Sequence, residues 1–235
     1  MAYIYEYIRT QGFEPIYLKE HFTRLDALSR RLFLAPLKVT QELLKQEIAN
    51  VLLQGGCSSR TMNAVYVRCG SDGVVGVEVE ELLYNHFSLR ALRPRGYLCR
   101  VSGDLILENN SAKEALVELN RTMAQISEEG AAIWCDEQGE VLAIDGASVI
   151  AIFEDEVRFS RRGDGVEFDI AYAASEGVKP LISRGAVMVD DLRTAKEILC
   201  IDHRGVTALH SFDSHRYMDL IGAKIAARVA DRELR

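Results

Sequence analysis

The spacing of apolar residues changes near residue 110, and that change divides the chain into two differently built halves. Residues 3–10, YIYEYIRT, alternate in strand fashion; Gln11-Gly12 makes a turn, and FEPIYL reads as a second short strand. From Leu18 the spacing becomes three and four, through Phe22, Leu25, Leu28 and Leu32. That puts one apolar stripe on a helix, which ends before Pro36. Thr40 caps a second helix with Leu44, Ile48 and Val51 on one face, and Gly55-Gly56 stops it. MNAVYVRC and the segments around 82–92 and 97–101 read as strands. These elements predict an α+β lobe over residues 1–105, followed by SGDLILENN as a linker.

Beyond the linker, Ser111 and Glu114 form a capping box, which predicts a helix from there to Gly130. The short strands AAIWC, GEVLAI, SVIAIF and EVRFS follow, separated by turn residues. A helix over 167–176 stops at Gly177, and DDLRTAKEI reads as another short one. Strands near 198–201 and 206–210 and a C-terminal helix, YMDLIGAKIAARVAD, complete a strand-rich, barrel-like lobe over 111–235. The expected fold class is α+β, in two domains with a cleft between them.

Composition narrows the function. A net charge of −7 argues against nucleic acid as a partner. Arg90, Arg93, Arg95 and Arg100 concentrate positive charge locally; they form either a solvated strand edge or an anion site. No run of about twenty apolar residues could span a membrane. The opening MAYIYEYIRTQG lacks the pattern of a secretion signal. The five scattered cysteines include no C-x-x-C pair and read as reduced thiols, so a cytoplasmic protein is expected. The histidines lack ligand spacing, so no metal site is expected.

Four segments, in order, resemble the class IV aminotransferases and aminodeoxychorismate lyases. Tyr5-Glu6-Tyr7-Ile8-Arg9 is similar to their F-E-T-I-R strand. PIYLKEHFTRLDALSRRL is similar to their P-F-x-L-x-E-H-x-x-R-L helix. Residues 111–153 resemble their central segment, with Leu119-Asn120 matching the Leu-Asn of their K-x-L-N pattern. VMVDDLRTAKEILCIDHRGVTALHSFD is similar to their tail. The resemblance implies the two-domain fold type IV, similar to D-amino acid aminotransferase, with pyridoxal phosphate (PLP) between the lobes and a homodimer completing the site.

Residue by residue, the resemblance assigns the PLP phosphate to Arg24, in H21-F-T-R24, with Arg9 as a second contact. A guanidinium suits that task because its fork pairs with phosphate oxygens. Other positions depart from the pattern. The Schiff-base lysine position holds Val117, and the pyridinium-pairing glutamate position holds Ala143. The asparagine of S-S-x-N is Ser148, and the second phosphate cradle aligns with G165-V-E-F168, placing Glu167 where a phosphate would lie. Lys113, Lys179 and Lys196 are the alternative amines; Lys113 lies one turn before Val117, where a long cation is expected to be solvated.

These departures predict no catalytic residue, no covalent cofactor and no ordinary transaminase or lyase turnover. The first reading is a pseudoenzyme that keeps the fold and homodimer and binds a small anion. The alternative is a working PLP enzyme, aminotransferase or aminodeoxychorismate lyase, with a relocated lysine. A third reading is a subunit that binds a protein partner.

Overall fold

Alternation near the start does form a strand. In a computed structural model that describes residues 2–80, 86–102, 108–125 and 130–233, β1 (Tyr3–Gln11) pairs antiparallel with the short β2 (Glu14–Pro15) and with β3 (Met62–Gly70). Gly12 turns the chain between β1 and β2 with φ at 61°, a conformation that glycine adopts without a Cβ penalty. β4 (Val75–Glu80) extends the sheet to the order β2-β1-β3-β4.

The two expected helices cover this sheet. They are α1 (Leu18–Phe33) and α2 (Gln41–Gln54); Thr40 Oγ1 accepts the Leu43 amide at 3.2 Å, and Gly55 ends α2. Leu25, Leu28, Leu44, Ile48 and Leu52 pack with Ile4, Ile8, Val65 and Val67. Each such aliphatic side chain contributes about 1.5–3 kcal/mol when fully buried. The strand expected at 82–92 differs. Its first residues lie outside the described ones, and β4 lies upstream of it.

By contact the chain divides into Met1–His86 with Asn109–Ser111, and Phe87–Glu108 with Ala112–Arg235. This moves one strand from the expected 1–105 lobe. β5 (Arg95–Arg100) joins the second unit because it runs parallel to β6 (Gly130–Cys135), in register from Arg95 and Gly130 to Arg100 and Cys135.

The second unit also holds α3 (Ser111–Gln125), β7 (Val141–Ile144), β8 (Ser148–Ile152), β9 (Glu156–Ser160), α4 (Val166–Ala174) and β10 (Leu181–Gly185). β11 (Glu197–Asp202), β12 (Gly205–Ala208), β13 (Ser211–Phe212), β14 (His215–Arg216) and α5 (Leu220–Glu233) follow. The strands make two five-stranded sheets, ordered β10-β9-β8-β11-β12 and β14-β13-β5-β6-β7. They share a core that includes Ile133, Ile144, Val149 and Ile198. α4 and α5 cover the first sheet through Phe168, Ala171, Ile225 and Val229.

The helix expected over DDLRTAKEI is a single 3-10 turn, Asp191–Arg193. Strand pairing interrupts it: the Lys196 amide donates to Ile152 O at 2.7 Å, and Glu197 opens β11. The Glu197 carboxylate is buried and accepts the Ile221 and Gly222 amides, both at 2.8 Å. It thereby satisfies orphan donors in the first turn of α5.

Candidate functional site

In the first unit the charged residues of the two N-terminal motifs meet around Glu6. Even-numbered side chains of β1 share the face that carries Ile4 and Ile8 toward the helices, so Glu6 faces α1. It is 4 % exposed; Oε2 lies 3.0 Å from His21 Nδ1, and Oε1 lies 3.4 Å from Arg24 Nε. Asn109 donates to Oε1 at 3.4 Å. A carboxylate this buried needs such partners, because an uncompensated buried charge costs several kcal/mol. Arg24 thus adjoins Glu6, whereas Asp26 binds Arg30 and the Leu37 amide. Arg9 is buried on the opposite face of β1, the face of Tyr5 and Tyr7.

In the second unit, Val117 and Ala143, the two positions that the resemblance assigns to the cofactor's amine and carboxylate contacts, lie in an apolar cluster. The inward stripe of α3 runs through Lys113, Leu116, Val117 and Asn120. Leu116 and Val117 pack with Cys99, Val101, Ala132, Trp134, Leu142 and Ala143. Trp134 is fully buried, and Ala143 is 4 % exposed. Gly146, in the β7–β8 turn, shows how closely α3 is seated. A Cβ there would lie 2.8 Å from Val117 Cγ2, 3.2 Å from Lys113 Cε and 3.5 Å from Trp134 Cη2. Lys113 is therefore folded against this turn rather than solvated as its place in the first helical turn suggests. Lys179 and Lys196 are held at the surface by Glu154, at 2.5 and 3.1 Å.

The remaining expected contacts are engaged within the chain. The Ser148 hydroxyl donates to Asp164 O at 2.7 Å and accepts the Asp164 amide at 2.9 Å. α4 starts after Gly165 without a side-chain cap and carries Glu167 and Asp169 in its first turn, where Asp169 pairs with Arg184.

The same unit holds a group of charged residues around Asp145 and Asp202 that the sequence reading does not single out, near Arg90, which it does. Asp145 sits in the β7–β8 turn with φ at 49°; its Oδ1 accepts the Ala132 amide at 2.8 Å. Burial pushes its carboxyl above the ordinary range, although the Ala132 amide, Arg121 and Arg204 pull the other way. Asp202, in the β11–β12 turn, behaves oppositely. Burial is outweighed there by Arg204 and His203, and the Arg204 guanidinium, whose Nη2 and Nε both donate to Oδ2 at 2.5 and 3.0 Å, holds its carboxyl well below the usual range. Burial and these two carboxylates raise the Cys200 thiol, so it is neutral. Arg90 Nη1 donates to Thr207 Oγ1 at 3.2 Å. The other local arginines divide: Arg93 binds the Tyr217 carbonyl and Asp219, while Arg95 and Arg100 are exposed. Single residues scattered over a strand, two turns and a helix leave no spacing signal for such a cluster.

No family model and no curated protein matches the sequence. Solved structures do match the fold. A protein from Thermotoga maritima described as a branched-chain amino acid aminotransferase superposes with a TM-score of 0.82 at 16 % identity, covering 100 % of this chain and 86 % of that one. One from Legionella pneumophila described as a 4-amino-4-deoxychorismate lyase gives 0.72 at 13 %, covering 92 % and 85 %. A hypothetical aminotransferase from Mycobacterium tuberculosis, solved with PLP, gives 0.76 at 12 %, covering 98 % and 89 %. The chain therefore has the α+β fold of the class IV aminotransferases, fold type IV. Identities this low establish the fold alone.

At the positions that the motif resemblance assigns to PLP, the side chains of this chain are of a different chemistry. Val117 offers no amine, Ala143 no carboxylate, and the Ser148 hydroxyl is engaged in both directions. Two carboxylates stand in the first turn of α4. Among the described residues no cluster of His, Cys, Asp or Glu could hold a metal, the five cysteines are free thiols, and no helix is long and apolar enough to cross a membrane.

Proposed function

We propose that this protein is a class IV aminotransferase-like pseudoenzyme that lacks the Schiff-base lysine, forms no covalent bond with PLP, and binds a small anion as a cytoplasmic homodimer. One observation carries the reading: Val117 and Ala143 belong to one apolar cluster around the fully buried Trp134. Covalent PLP chemistry would need an amine at the first position and a carboxylate at the second. Replacing both by apolar groups removes two buried charges together, which costs far less than leaving either one alone.

The test is a titration of the purified chain with PLP, followed by borohydride. The expected result is no new visible band beyond that of free PLP, and no turnover of amino acids. Val117→Lys alone should give at most a reducible band with negligible turnover; activity requires at least Ala143→Glu as well. Robust turnover by the unmodified chain would refute the proposal.

A second reading has an observation of its own. Lys113 Cε lies against the Gly146 turn beside Val117, so an amine does reach this neighbourhood. A working PLP enzyme with Lys113 as its anchor would give a borohydride-trapped adduct that Lys113→Ala abolishes.

A further inference from the structure

The sheet of the first unit ends in a strand with one side open. Among the described residues β4 pairs with β3 along its whole length and has no strand on its other side. We propose, resting on the homodimer reading above, that this edge is the interface. β4 of a second copy of this chain pairs with it antiparallel about a two-fold axis at Val77, joining the two sheets into one.

Backbone geometry determines which groups face outward. The Gly70 amide donates to Val74 O at 3.2 Å, so the alternation of the antiparallel ladder turns the N–H and C=O groups of Val75, Val77 and Val79 away from β3. Such a row is a template for another strand, and natural edges are commonly blunted by proline, lysine or a bulge. β4 reads VGVEVE in unbroken register with β3 and has none of these; its charges, Glu78 and Glu80, lie on one face only. A two-fold axis at Val77 pairs Val77 with its own copy and Val75 with Val79 in both directions. All three outward residues of each strand then find partners.

Side chains select the same register. Val75 and Val77 pack on the core under the helices, and Val79 shares their face but is 42 % exposed. Beside them a groove opens between α2 and β4, lined also by Leu43, Leu44 and Val74 together with four polar side chains. Leu43 and Val74 are more than half exposed. Val79 of the second copy, set opposite Val75, lies along this groove, and the exchange is reciprocal. Charge is complementary on the other face. Arg68 stands across from Gly76 in the ladder and holds Glu78 at 3.0 Å, with its side chain still 46 % exposed. The proposed register puts Glu78 of the second copy opposite Gly76. A Cβ at Gly76 would meet nothing within 4 Å, so the gap lets Arg68 reach that carboxylate as well. An axis at Glu78 would instead set two carboxylates face to face, and one at Gly76 would leave Val79 opposite Gly73, outside the strand.

Sedimentation equilibrium of the full chain tests this, with variants that act only across the interface. The unmodified chain should dimerise. Gly76→Glu sets a carboxylate against Glu78 of the second copy twice per dimer and should weaken association about tenfold. Adding Glu78→Lys should restore it. Cysteines read the register, because Gly76 and Glu78 of the second copy form a pair without backbone hydrogen bonds, where side chains come closest. Gly76→Cys and Glu78→Cys chains, mixed under mild oxidation, should give a disulfide between the two introduced thiols, located by peptide mapping. Neither chain alone should give one. A dimer that survives Gly76→Glu unchanged, or whose weakening Glu78→Lys does not reverse, or whose mixed thiols do not link, overturns this interface and leaves the homodimer reading standing. A chain that stays monomeric up to about 100 μM overturns both.

Discussion

The two units treat charge in opposite ways at the positions the family resemblance singles out. In the first unit, Glu6, His21 and Arg24 reproduce the family pattern and hold one another inside the fold. In the second, Val117 and Ala143 depart from it and pack around Trp134. The difference follows from what each residue touches. Arg24 compensates a buried carboxylate whether or not an anion binds, so removing it costs stability. An amine and a carboxylate that serve only a ligand have no such anchor; without the ligand they are buried charges, and apolar replacements are favoured.

Mutations can break or sharpen this contrast. The largest effect is expected in the first unit. Glu6→Ala removes the buried carboxylate that His21 and Arg24 both approach and should cost about 3 kcal/mol in denaturant unfolding. If it costs less than about 1 kcal/mol, the cluster is not structural. Putting charge back into the second unit should come next. Val117→Lys buries an ammonium among Trp134, Leu116 and Ala143 and should cost about 2 kcal/mol or more. Adding Ala143→Glu should recover about 1 kcal/mol or more of that loss, measured as a double-mutant cycle. A coupling of zero would mean that the two side chains do not meet.

Seating of α3 offers a smaller probe. Gly146→Ala places a methyl 2.8 Å from Val117 Cγ2 at a φ of 77°, and should cost about 1–2 kcal/mol. Val117→Ala in the same chain should relieve part of it.

The smallest effect is pH-dependent, and its sign differs between the two aspartates. Asp145 has a raised folded pKa, so its contribution is intact below the unfolded value of 3.8 and declines as pH rises through the folded one. Asp145→Asn should therefore stabilise the chain at neutral pH and do nothing at low pH. Asp202 has a lowered pKa; its contribution is present above 3.8 and lost as pH falls through the folded value. Asp202→Asn should destabilise at neutral pH and flatten the acid limb of a melting-temperature profile.

Much of the fold is legible in the sequence because periodicity and capping act locally. The Leu18-to-Leu32 stripe, Thr40 and Gly55 mark α1 and α2, and AAIWC to EVRFS mark four successive strands. What is not legible depends on distant pairing. β5 belongs to the second unit because β6 lies beside it, and DDLRTAKEI yields to strand β11 because β8 claims its backbone. The site divides in the same way. Arg24 is visible through its motif, but its partner Glu6 comes from β1. Lys113 looks solvated by position in its helix, and only the Gly146 turn shows where its stem lies. Asp145, Asp202, Arg204 and Arg90 carry no shared spacing, and only the fold places their charges within reach of Cys200.

The most direct test of the central claim is covalent. The full chain is incubated with excess PLP, reduced with borohydride, digested, and every lysine-containing peptide weighed. The account predicts no phosphopyridoxyl group on any lysine beyond the sparse labelling given by a chain denatured before treatment. Stoichiometric label on Lys113, abolished by Lys113→Ala, would contradict it and establish a relocated anchor.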